Sequence, residues 1–66
     1  MFRVIYMVEA FDINGETADD VLVARRFAAN KKTVNKIKKG YNGYDIAVRK
    51  MPKKEWGLIT GEIERM

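Results

Sequence analysis

The sequence predicts a small α+β domain in which a sheet packs on a helix-turn-helix. Three observations predict it. The chain opens on a run of β-branched and aromatic residues. Two stretches with helical spacing follow, joined at Ala28-Ala29-Asn30. A second alternating strand then begins at Tyr44.

The first strand is assigned to residues 2–11, FRVIYMVEAF, because β-branched and aromatic side chains suit a pleated surface. Phe2, Val4, Tyr6, Val8 and Ala10 share one face. Ile5, Met7 and Phe11 share the other, so this strand is read as covered on both sides. Asp12-Ile13-Asn14-Gly15 carries an Asn-Gly turn signal. A first helix is assigned to residues 18–28. Thr17 is positioned to cap it, Asp20 stands three residues later, and acids in a first turn complement the helix dipole. Val23 and Phe27 are four apart, with Val21, Ala24 and Ala28 flanking them. Asn30 is a good N-cap for a second helix over residues 31–39, whose apolar positions are Val34 and Ile37. Gly40 is placed to end it. Tyr41-Asn42-Gly43-Tyr44 is a further turn, and residues 44–51 alternate as a strand. Pro52-Lys53-Lys54 breaks that strand. Residues 56–63 form a last strand, weakened by Gly57 and Gly61.

The chain has 66 residues, one domain's worth, spanning 1–66 without repeat or linker. A domain of this size buries only about 60% of the surface its unfolded chain exposes. With no cysteine, no disulfide or thiolate metal site reinforces it. Seven aromatics and a 47% hydrophobic content make a compact core feasible. Tyr6, Phe27 and Tyr44 are assigned to that core, and Trp56 to covering one end of it. No apolar run approaches the roughly 18 residues of a membrane span, and the opening stretch lacks the features of a signal peptide. The reading is a cytoplasmic protein with no membrane partner.

Charge is segregated along the chain. Residues 31–54 carry nine Lys or Arg and one acid, Asp45. Residues 1–30 carry three basic and five acidic residues, and 55–66 one basic and three acidic. Segregation of this kind is the footprint of a polyanion-binding face. Residues 20–39 have the register of a helix-turn-helix. Val23, Phe27, Val34 and Ile37 supply the crossing contacts, Ala24 allows close approach, and Ala28-Ala29 makes the turn. That motif holds its second helix for the major groove. Lys31, Lys32, Lys36, Lys38 and Lys39 are then left to neutralise phosphates. Asn35 is the candidate base reader, since asparagine pairs bidentately with adenine. Asn30, Tyr41 and Arg49 complete the set of nucleic-acid-binding candidates.

Phe11-Asp12-Ile13-Asn14-Gly15, then Lys32-Thr33-Val34, then Gly40-Tyr41-Asn42-Gly43-Tyr44, resemble the nuclease-associated modular domains of phage proteins and homing endonucleases. In those, a "YDxNG" strand end leads into a helix pair of "SKxTI" type and closes with a "GxxxGY" strand. The resemblance covers residues 6–46. It implies a minimal strand–helix-turn-helix–strand DNA-binding module without nuclease chemistry, serving a phage or mobile-element regulator.

Catalysis is not expected. The chain has no His, Cys or Ser, so its threonine and tyrosine hydroxyls have no imidazole to activate them. Asp19-Asp20 and the Glu62, Glu64 pair read as solvated surface or helix-start residues, and no metal or cofactor is expected. Duplex DNA is the first partner expected. An acidic host protein, bound and inhibited or modulated by a small phage-type protein, is the alternative.

Overall fold

The computed structural model describes residues 2–13 and 20–65. Its elements are β1 (Tyr6–Ile13), β2 (Asp20–Ala28), α1 (Lys31–Gly40), β3 (Asp45–Lys50), a 3-10 turn (Lys53–Leu58) and β4 (Ile63–Glu64). The sheet order is β3-β1-β2-β4. β1 is antiparallel to both of its neighbours, and β4 is parallel to β2. β2 and β3 therefore run in the same direction with β1 between them, and α1 is the crossover that joins them.

β1 is central because it is apolar on both faces and its backbone groups need a partner along each edge. Register fixes the faces. Tyr6, Val8 and Ala10 stand opposite Ala28, Arg26 and Ala24 on β2, and opposite Lys50, Val48 and Ile46 on β3. This face carries α1. Val34 and Ile37 pack on Val8 and the wholly buried Ala28, with Tyr6, Tyr41 and Ile46 around them. On the reverse face Met7 stands opposite Phe27 and Arg49. Ile5, Phe27 and Met51 form a second core there, covered by Phe2, Trp56, Ile59 and Ile63. The sheet is thus the middle layer of three, with a helix above and the tail below, as the two apolar faces of the first strand require.

The expected pairing of the strands near 2–11 and 44–51 is present, over Tyr6–Phe11 and Asp45–Lys50. The expected helix over residues 18–28 is not formed. From Asp20 onward the chain is strand β2, paired along its length with β1. Val21-Leu22-Val23 favours a strand locally. Beyond it, Arg25 and Phe27 alternate with Ala24, Arg26 and Ala28, so period two places Phe27 in one core and Ala28 in the other. The helix-turn-helix is therefore replaced by strand–turn–helix. Phe27 lies on the far side of the sheet from Val34 and Ile37, and Val23 is exposed instead of making a crossing contact. Thr17 and the Asn14-Gly15 turn lie outside the described residues.

The last strand is also shorter than expected. Residues 53–58 form the 3-10 turn, and only Ile63 and Glu64 pair with the sheet. Pro52 begins this turn. Gly61, at φ +96°, redirects the chain into β4 in a conformation that side-chain-bearing residues rarely adopt. The Trp56 indole N–H donates to the Met51 carbonyl at 3.2 Å, and the Ala29 amide donates to the Glu64 carbonyl at 2.8 Å. Trp56 covers the lower core, as expected. Tyr44 does not join a core: it is 40% exposed, edge-on to Tyr41 with ring centroids 6.1 Å apart.

Candidate nucleic-acid interface

α1 begins where the sequence places its start. The Asn30 side-chain carbonyl accepts from the Thr33 amide and the Thr33 hydroxyl, each at 2.8 Å. This cap meets one of the amides a helix start leaves without an internal partner. Thr33, Val34 and Ile37 are buried. They turn one side of α1 onto the sheet and leave Lys31, Lys32, Asn35, Lys36, Lys38 and Lys39 exposed. Lys38 and Lys39 also suit the negative end of the helix dipole.

Helical spacing sets the pattern on the outer side. Lys31 and Lys32 lie four and three residues before Asn35, and Lys38 and Lys39 three and four after it. Residues at these spacings are surface neighbours, so Asn35 sits at the centre of four lysines. Lys32, Asn35, Lys36 and Lys39 line one shallow depression.

Three of the arginines off the helix are engaged in ion pairs within the fold. Arg25 on β2 pairs with Glu9 on β1 at 2.8 Å. Arg49 on β3 pairs with Glu55 at 3.1 Å. Arg26 on β2 pairs through two nitrogens with the Glu64 carboxylate, and its third nitrogen lies 3.5 Å from the Tyr41 hydroxyl. The Glu64 hydrogen bond, followed by that of Tyr41, raises the Arg26 pKa further above its ordinary value. Among the described residues all three ion pairs use arginine, and no lysine of α1 has one of the described carboxylates within 4 Å.

The structure therefore brings Lys31, Lys32, Asn35, Lys36, Lys38 and Lys39 together on the outer side of α1, with Asn30 and Tyr41 capping its two ends and Arg49 on the far side of the sheet. Asn30 is half-buried and its carbonyl is engaged in the cap. Tyr41 is half-buried against the upper core. Arg49 shares the sheet face of Met7 and Phe27, opposite α1. Sequence reasoning passed over Arg26, which links β2 to β4 and to the end of α1. Nothing local marks that role, because Glu64 lies 38 residues away. Among the described residues no three His, Cys, Asp or Glu side chains cluster as a metal site, and no helix is long and apolar enough to cross a membrane. Comparison of the chain with protein-family models, curated proteins and solved structures finds no match.

Proposed function

We propose that this domain binds duplex DNA through the outward face of α1. The observation that carries the reading is a ten-residue helix bearing five exposed lysines, none paired with a carboxylate among the described residues, in a molecule whose ion-paired arginines all lie elsewhere. Unpaired lysines on one face exchange condensed counterions for phosphates, which favours association with a polyanion. The sheet takes the place of the first helix of a helix-turn-helix: it supports α1 from behind and leaves its far side free. The major groove, about 12 Å wide, admits a single helix. Asn35, ringed by lysines, is the group in position to read a base edge while its neighbours hold the backbone. The domain works as a binding module with no chemistry of its own, in a regulator of phage or mobile-element type.

The test is fluorescence anisotropy with a labelled random-sequence duplex at low salt, where the phosphate attraction is strongest. Saturable binding that weakens as salt is added is the expected result. An absence of binding at low salt overturns the reading and leaves an acidic protein surface as the target of the same lysines, to be sought by pull-down.

A further inference from the structure

The two edges of the sheet differ. β2 is closed at one end by β4, which pairs with Phe27 and Ala28. Along the rest of its length the pairing of β2 with β1 contains a register shift, where Ala10 faces Ala24 but Phe11 faces Leu22. Irregularities of this kind hinder the addition of a further strand. β3 is the opposite edge. Its six residues pair with β1 without interruption, and its outer backbone groups face no other strand among the described residues. A regular edge with unmet N–H and C=O groups is a template for another strand.

We infer that β3 pairs antiparallel with β3 of a second copy of this chain, about a two-fold axis at Ala47. The strand is complementary to itself in that register and no other. Two copies joined in one antiparallel sheet are related by an axis perpendicular to it, so each residue meets a residue of its own face, and the axis must pass through a residue position. At Ala47, Asp45 falls opposite Arg49 twice on one face, and Ile46 falls opposite Val48 twice on the other. Opposite charges and apolar pairs directly across a ladder are the stabilising combinations. An axis at Val48 sets Ile46 against Lys50. One at Ile46 sets Asp45 against Ala47 and leaves both charges unmatched.

The exposures agree with this pairing. Val48 is 43% exposed although its neighbour on β1, Val8, is buried, because α1 lies mainly over β1 and β2 and on β3 it is Ile46 that packs against the upper core. Among the described residues Asp45 forms no ion pair, and the Arg49 side chain, which holds Glu55, is 50% exposed. The perpendicular axis also keeps both α1 helices on the same side of the joined sheet. With strands about 4.8 Å apart, the helices stand roughly 19 Å from one another. The interface belongs to the small, transient class, under about 1,200 Å², so association rises with concentration.

Sedimentation of the full chain across micromolar to millimolar concentrations, at moderate salt and without nucleic acid, tests this separately from DNA binding. The mass should rise from one chain toward two. Asp45→Arg and Arg49→Asp each set like charges against each other twice, and each should weaken self-association by about tenfold or more. An equimolar mixture of the two variants restores both charge pairs and should associate at least as well as the unaltered chain. Val48→Glu, on the other face of the strand, should weaken association as well. Leu58→Glu removes an apolar side chain that is 76% exposed in the 3-10 turn, outside β3, and should leave association unchanged. Circular dichroism confirms that each variant is folded. A chain that stays monomeric throughout, single variants that associate like the unaltered chain, a mixture no tighter than its components, or a loss confined to Leu58→Glu would each overturn the inference.

Discussion

At the scale of single residues, Asn30 and Phe27 hold the two layers on the sheet. Asn30 accepts two hydrogen bonds at 2.8 Å and sets the first turn of α1. Asn30→Ala removes both and should cost about 0.5–2 kcal/mol, read as a lower urea midpoint with an unchanged slope. Phe27 is 5% exposed and fills the lower core beside Ile5 and Met51. Phe27→Ala should cost about 3–5 kcal/mol, by chemical denaturation. A shift under about 1 kcal/mol would show that the lower core can close over the gap. The importance of Phe27 was legible in the sequence, but the layer it serves was not. A phenylalanine four residues after a valine reads as a helix stripe, and the same phenylalanine between Arg26 and Ala28 reads as one face of a strand. Only pairing with β1 decides between them.

At the scale of elements, α1 was legible to within a residue because its signals are local: a cap at Asn30, apolar positions at Val34 and Ile37, and Gly40 at its end. The lysines and Asn35 inherited their places from that periodicity, so this part of the site was readable as well. Arg49 was not, because a strand residue's face is fixed by register with β1, which no local spacing reports. The segment after Met51 was read as a strand and instead supplies the lower layer through Trp56, Ile59 and Ile63, with two residues of β4 added to the sheet. A chain ending at Met51 would expose Phe27 and Met7 and lose the Glu64 partner of Arg26. Such a truncation should fail to unfold cooperatively with heat, as followed by circular dichroism. A sharp transition at the full-length temperature would show that the tail does not stabilise the core. Gly61→Ala should cost about 1–2 kcal/mol, the penalty for a side chain at positive φ.

At the scale of the whole molecule, the segregation of charge along the sequence becomes a separation in space. Arg25, Arg26 and Arg49 are ion-paired within the sheet and its tail, and five of the eight lysines gather on the outside of one helix. The measurement that bears most directly on this arrangement is the slope of log affinity against log salt for duplex binding, in the unaltered chain and in three variants. Lys32→Ala and Lys36→Ala should weaken binding to all sequences alike, and each should reduce the slope by about 1. Asn35→Ala should leave the slope nearly unchanged while costing about 1–3 kcal/mol on a preferred site and little on random DNA. Slopes that are the same with and without these lysines, or lysine variants that bind as tightly as the unaltered chain, would contradict the assignment of α1 as the surface that meets DNA.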